Sequence, residues 1–207
     1  MKVVKFGGSS VADAGQFQKV KAIINQDPQR QIVVISAAGK YGDATRKLTD
    51  TLYLIADGFE AGRDVTPLFA QVAARLEAIN QALHLHVPLI KLMNTIRHHI
   101  ATHYSRDYLV SRGEFLTAQL MAAYLGYTFV DAADLLFFDQ NGAIDEAKTL
   151  AAYRRLPRHH GIVVPGFYGQ NAAGHVQLMA RGGSDISGAW LARLAQALSL
   201  IHISEPT

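Results

Sequence analysis

Two short stretches of this sequence carry residue types suited to phosphate chemistry. Lys5-Phe6-Gly7-Gly8-Ser9-Ser10 follows Val3-Val4, which reads as a buried strand, and precedes Val11 to Asn25, which reads as a helix. Glycine lets a backbone come close to an anion, and the N–H groups of a helix start face it with partial positive charge. Lys5 sits at the strand end, where an ammonium can meet a transferring phosphoryl group. Arg181-Gly182-Gly183-Ser184-Asp185 repeats that logic between a short strand and a helix, with Ser184 or Asp185 available as N-cap. Arg181 offers a planar fork for a carboxylate or phosphate. Asp185 suits Mg²⁺ or an ammonium group, and Mg²⁺ needs only one or two carboxylates when phosphates supply its other ligands. Each passage alone is also what a plain strand-to-helix turn looks like. Two of them at strand carboxyl ends point to a common cleft. Neither is a P-loop, because no G-x-x-x-x-G-K-[ST] occurs.

A third stretch, Ser111-Arg112-Gly113-Glu114, interrupts a helical pattern with glycine. Glycine inside a helix costs about 1 kcal/mol relative to alanine, so it signals close approach by something, unless the segment is an exposed turn with a solvated Glu. Nine histidines include His99 and His103 at i, i+4, and His84 and His86 nearby. Without H-E-x-x-H, cysteine or a third ligand at firm spacing, they do not make a metal motif. No G-x-S-x-G elbow appears.

The elements that must position these residues read as α/β. Residues 1–36 form one β-α-β unit, in which Asp27-Pro28 ends the helix and Gln31 to Ser36 is a continuously apolar strand of the parallel-sheet kind. Ala37 to Asp43 is then a loop leaving a strand carboxyl end, the ligand edge of such sheets. Helical patterns follow over 48–61, 68–83, 89–103 and 105–125, with Thr66 as an N-cap, Pro67 at the first helical position and Gly126 as a C-cap. The strand-free stretch near 64–104 is a helical excursion. Strands are expected at 127–130, 135–138, 161–167 and 176–179, with helices within 144–155 and over 186–198. The fold class is therefore a mainly parallel central sheet with helices on both faces.

Composition narrows the function classes. The 207 residues are 49% hydrophobic and 18% charged, enough for one substantial core. The formal net charge of +3 is scattered, with no basic block longer than Arg154-Arg155 and no aromatic interleaving, so a nucleic-acid surface is not indicated. The absence of cysteine excludes disulfides, zinc thiolates and thiol catalysis. No run of 18 apolar residues is present, and the start lacks a signal-peptide apolar segment.

Taken together, Lys5 to Val11, Ser36-Ala37-Ala38-Gly39-Lys40, Leu48-Thr49-Asp50, Ser111 to Glu114 and Arg181 to Asp185 stand in the order and approximate spacing of aspartokinases, and the chain resembles that branch of the amino-acid kinase superfamily over residues 1–198. The Ser-x-Gly-Glu element separates aspartokinases from relatives acting on glutamate, acetylglutamate, carbamate or UMP. Two departures are Ala180, where the family has glycine, and Ser9 for the commoner threonine, which keeps the hydroxyl. The resemblance implies the amino-acid kinase fold and transfer of the ATP γ-phosphoryl group to the side-chain carboxylate of L-aspartate, with Mg²⁺. Lys5 and Asp185 would be catalytic, with Asp185 also the Mg²⁺ ligand. Lys5, Gly7, Gly8, Ser9, Gly182, Gly183 and Ser184 would line the phosphates. Thr49, Glu114 and Arg181 would hold aspartate, Glu114 meeting its ammonium and Arg181 its α-carboxylate. The nucleophile is a carboxylate of solution pKa about 3.9, ionised at pH 7, so no general base is needed. A substrate with two carboxylates and one ammonium calls for this mixture of cation, anion and hydroxyl. Another amino-acid kinase, or a non-catalytic fragment that binds aspartate or phosphate, is the alternative.

By the family pattern the helix ending near Leu198 is followed by a strand, a nucleotide loop and ACT domains. Residues 199–207 depart from it and resemble translated adapter or vector sequence joined to a cut reading frame. The expectation is a catalytic-domain part at 1–198, a non-native tail at 199–207 outside the fold, and an apolar sheet edge left unpaired. Such a chain would self-associate and lack activity. Its full-length parent would be a cytoplasmic homo-oligomer with neither a nucleic-acid nor a membrane partner.

Overall fold

The computed structural model describes residues 1–40, 46–156, 160–180, 182–197 and 199–203. In chain order the elements are β1 (Lys2–Phe6), a 3₁₀ turn (Gly8–Val11), α1 (Ala14–Asn25), β2 (Arg30–Ile35), α2 (Leu48–Glu60), α3 (Thr66–Ala82), α4 (Leu89–Thr102), α5 (Arg106–Leu125), β3 (Thr128–Phe129), a 3₁₀ turn (Ala132–Asp134), α6 (Glu146–Tyr153), β4 (Ile162–Pro165), β5 (Tyr168–Gln170), β6 (Val176–Leu178), α7 (Gly183–Leu194) and β7 (Leu200–Ile203). The main sheet has the order β3-β4-β2-β1-β7 and is parallel throughout, while β5 and β6 form a separate antiparallel pair.

The strands are apolar at nearly every position because both faces are covered. Val4, Phe6, Val33, Ile35 and Val163 pack into the core shared with α1 to α5. Val3, Ile32, Val34, Ile162 and Val164 pack on the opposite side with Leu191 of α7 and Tyr168 of β5. Lys5 shares the α7 face with Val3, as alternation along a strand requires. The excursion is real: α3 and α4 follow one another with no strand between. Gly126 caps α5 at φ 71°, the left-handed conformation expected of it.

Several local expectations give way to stronger local bonds. The first helix starts at Ala14 rather than Val11, because the Asp13 carboxylate accepts the Gln16 N–H at 2.9 Å and begins the helix there. Gly8–Val11 is left as the 3₁₀ turn, in which the Ser10 N–H donates to Gly7 O at 3.1 Å. Val65, not Thr66, is the N-cap residue of α3, and the Thr66 N–H donates to the Asp64 carboxylate at 2.9 Å. Residues 135–138 form no strand; only single bridges at Phe137 and Phe138 occur, because the 3₁₀ turn at 132–134 redirects the chain into the core. α7 is displaced toward the glycines, starting on Gly183 and ending at Leu194.

The largest difference concerns the sheet edge. Leu200–Ile203 pair with β1 in parallel, Val4 opposite Ile201 and Phe6 opposite Ile203, so that edge of β1 is filled rather than open. Leu-Ile-His-Ile has the composition of a short strand, and Ile201 packs against the larger core.

Candidate functional site

The carboxyl ends of β1, β2 and β4 lie side by side, and the candidate residues gather there. β1 runs between β2 and β7, where the strand order reverses direction, and the crevice outside the strand ends at such a reversal is the usual ligand site of an open α/β sheet. Lys5, next to last in β1, is 7% exposed, and its Nζ lies 2.9 Å from Asp185 Oδ1. Asp185 is in the first turn of α7, its side chain 52% exposed. Gly188, one turn further on, faces the Lys5 stem, and a Cβ there would be in ordinary contact with Lys5 Cβ at 3.7 Å. The start of α7 is held from below by the β4–β5 turn. A Cβ on Gly166 would fall 2.7 Å from Ser184 Cβ, and the Gly166 N–H donates to Ile35 O at 2.9 Å. Gly182 precedes the helix at φ 85°, a conformation that favours glycine. The N–H of Phe167, a residue at φ 78°, donates to Ser187 Oγ at 3.2 Å.

The first glycine pair makes a backbone-to-backbone contact. A Cβ on Gly8 would lie 2.8 Å from Ala37 O, and one on Gly39 would lie 2.6 Å from the Gly8 carbonyl carbon and oxygen. The Gly39 N–H donates to Gly8 O at 2.7 Å. The phosphate-loop candidate thus rests on the loop that leaves β2. Gly7 itself has φ −73° and ψ 171°, an extended conformation open to any residue, so its glycine is not required by backbone angle. Ser9 lies within the 3₁₀ turn.

Ser111-Arg112-Gly113-Glu114 is a buried segment in the middle of α5, not an exposed turn. Close approach does occur at Gly113, where a Cβ would be 3.0 Å from Ala37 Cβ and Leu52 Cδ1. Glu114 is fully buried, and burial pushes its carboxyl up to about 8, against the pull of backbone amides, including that of Ala37, and of Arg112. Among the described residues its Oε2 has no hydrogen-bond partner. A buried carboxylate oxygen without a donor is costly, and a cationic ligand group would satisfy it. Thr49, half-buried, is the second residue of α2, and the preceding Leu48 N–H donates to Ala38 O at 3.1 Å. Loop 37–39 therefore touches Gly8, Glu114 and the start of α2 together. Arg181 lies outside the described residues.

Two features were not legible as functional from residue type. Thr117, one turn beyond Gly113, accepts the Ala38 N–H at 3.2 Å and donates to Gly113 O at 2.7 Å. Its position three residues after Glu114 would have placed it on the same helix face. Arg112 is buried among the rings of Tyr108, Phe115 and Tyr168, with ring centroids 4.4, 4.4 and 5.2 Å from its guanidinium carbon, and donates to Ser111 Oγ at 2.9 Å. Tyr168 in turn donates to Asp131 at 2.8 Å. This is a packing device under the site. His99 packs against Tyr108 with ring centroids 4.0 Å apart and the rings tilted by 34°.

The arrangement offers a cation beside an anion at one strand end, glycine-lined backbone next to them, and a buried carboxyl with an unsatisfied oxygen. It can take a phosphate-bearing molecule and an amino acid. Comparison with known proteins agrees. A sequence model of the amino acid kinase family matches residues 1–205. Aspartokinase 3 of Bacillus subtilis is 35% identical over 95% of this chain and 47% of its own length. Aspartokinase 1, chloroplastic, of Arabidopsis thaliana is 31% identical over 89% of this chain and 36% of its length. The solved aspartate kinase of Clostridium acetobutylicum superposes with a TM-score of 0.92 at 35% identity, over 97% of this chain and 47% of that one. E. coli aspartokinase III, solved with aspartate and ADP, superposes at 0.83 and 25% identity over 99% of this chain and 49% of that one. The chain thus spans about half the length of most of these relatives.

Proposed function

Because the chain belongs to the amino acid kinase family, we propose that its site transfers the γ-phosphoryl group of ATP to the side-chain carboxylate of L-aspartate, giving 4-phospho-L-aspartate. The observation that carries an amino-acid acceptor is Glu114, a buried carboxyl on α5 with an unpartnered oxygen, which meets the same loop that supports the glycine turn at Gly8; the choice of aspartate among amino acids rests on the relatives. An α-ammonium group is the natural complement of that oxygen. Relatives named aspartokinase and a solved relative holding aspartate and ADP support the same reading.

In this reading Glu114 takes the ammonium of aspartate, Arg181 its α-carboxylate, and Thr49 a further polar contact. Gly7, Gly8, Ser9, Gly182, Gly183 and Ser184 line the nucleotide phosphates. Lys5, fixed on the central strand, neutralises charge on the transferring phosphoryl group. The nucleophile is already ionised, so catalysis rests on positioning and charge stabilisation. Asp185 fits Mg²⁺: it is one half-exposed carboxylate at the mouth of the site, sufficient where phosphates supply the other ligands. Mg²⁺ there would bind phosphate oxygens and offset their charge. The reaction is the entry step to lysine, threonine and methionine biosynthesis, and a cytoplasmic homo-oligomer is the form proposed for the protein. Among the described residues no helix is long and apolar enough to cross a membrane.

Titration calorimetry with aspartate and with Mg-ATP, beside coupled ADP release, tests this. Saturable aspartate binding and aspartate-dependent ADP release are expected. Preference for glutamate, acetylglutamate or UMP would move the protein to another branch of the family, and binding without turnover would leave a binding module.

A further inference from the structure

Loop 37–39 is bonded on every side. The Ala37 amide serves Glu114, the Leu48 N–H holds Ala38 O, the Gly39 N–H donates to Gly8 O, and Arg75 donates to Gly39 O. The Ala38 N–H is buried in a residue with no exposure and has left the sheet, so no neighbouring strand supplies an acceptor. Thr117 supplies it. Its hydroxyl accepts that N–H at 3.2 Å and donates to Gly113 O at 2.7 Å, one turn back in α5. A hydroxyl is needed because the position must accept from one backbone group and donate to another in a site closed to water. Thr117 itself has no exposure.

The loop it grips supports both halves of the site. Through Gly39 it sets Gly8, and through Ala38 and Leu48 it sets the first turn of α2, which carries Thr49. We propose that Thr117 is a positioning residue, its hydroxyl fixing loop 37–39 so that the glycine turn at Gly8 and the Thr49–Glu114 side keep one mutual geometry. The functional part of this inference rests on the aspartate reading above; the structural part does not. Thr117 acts through the loop and touches no substrate.

Thr117→Val keeps the branched shape and removes the hydroxyl, and Thr117→Ser keeps the hydroxyl and removes a methyl. In the Val variant, amide hydrogen exchange at Ala38 and Gly39, read by NMR, should speed up about tenfold or more, while Val33 and Val34 in β2 keep their protection. Aspartate affinity by calorimetry should fall about tenfold, the worth of one buried hydrogen bond. Thr117→Ser should restore both to within about threefold. If the Val chain does not fold, Thr117→Ala carries the same comparison against Ser. Unchanged exchange at Ala38 and Gly39 in a folded Val or Ala variant overturns the proposal. Faster exchange with unaltered aspartate affinity overturns the positioning role. If the unmodified chain binds no aspartate, the aspartate reading fails and the exchange rates still decide whether Thr117 holds the loop.

Discussion

Lys5 Nζ and Asp185 Oδ1 lie 2.9 Å apart, joining the end of the central strand to the first turn of α7 across 180 positions of chain. The lysine is buried and the aspartate side chain is 52% exposed, so the cation is the anchored member of the pair. On the proposed reading, Asp185 would hold Mg²⁺ and Lys5 would meet the phosphoryl oxygens, so the pair would part when a nucleotide binds.

Lys5→Met should reduce aspartate-dependent phosphoryl transfer by two to three decades, about 3–4 kcal/mol of transition-state stabilisation. The fold should persist, because methionine fills the channel of the lysine stem beside Gly188 and leaves Asp185 facing solvent. Coupled ADP release, in the chain or in a longer protein that carries it, reads the effect. Turnover near that of the parent would remove Lys5 from the mechanism.

On the proposed reading, Glu114 should make aspartate binding depend on pH. Its carboxyl sits at about 8 in the fold against an ordinary 4.5, through burial first. The free site is therefore protonated there at pH 6 to 7, and docking of an ammonium should expel about one proton per aspartate. Calorimetry in buffers of different ionisation enthalpy measures this, and affinity should rise with pH up to about 8. Glu114→Gln should weaken binding and abolish the proton release. Proton uptake on binding would contradict the assignment.

The same shift has a consequence for stability in the absence of ligand. A group whose carboxyl is raised in the fold favours the fold fully below its unfolded value of 4.5, and that contribution is lost as pH rises through about 8. Thermal melts of Glu114→Gln should therefore gain on the parent chain progressively across that window and level off above it. Parallel melting curves would show that Glu114 is not buried as a neutral acid.

Gly39→Ala should destabilise the chain by about 1–3 kcal/mol in urea unfolding. The new Cβ would sit 2.6 Å from the Gly8 carbonyl, and neither partner is a side chain that can swing away. Phosphate-site affinity should fall with it. A neutral effect would mean that the two loops separate freely.

Ile201→Asp should cost about 2–3 kcal/mol and raise light scattering, because it places a charge against the larger core and loosens β7 from β1. A variant as stable and monodisperse as the parent would show that β7 adds nothing to the sheet.

The sequence by itself determined the elements and the chemical inventory. Continuous apolar runs at 32–35 and 162–164 required strands covered on both faces, and Gly126 required the end of α5, because these are local matters of periodicity and backbone freedom. The residue types at Lys5, Glu114 and Asp185, in family order, were enough to point to phosphate and amino-acid chemistry. The tertiary structure decided what touches what. Gly8 meets Gly39, and Thr117 meets Ala38, only after β1 and β2 pair and α5 crosses beneath them. The burial that pushes Glu114 to about 8 arises from that crossing, since desolvation is a property of surroundings and not of a residue. Leu200–Ile203, expected to stand outside the fold because it departs from the family pattern, forms β7 because the edge of β1 offers backbone hydrogen bonds to a short apolar segment that reaches it.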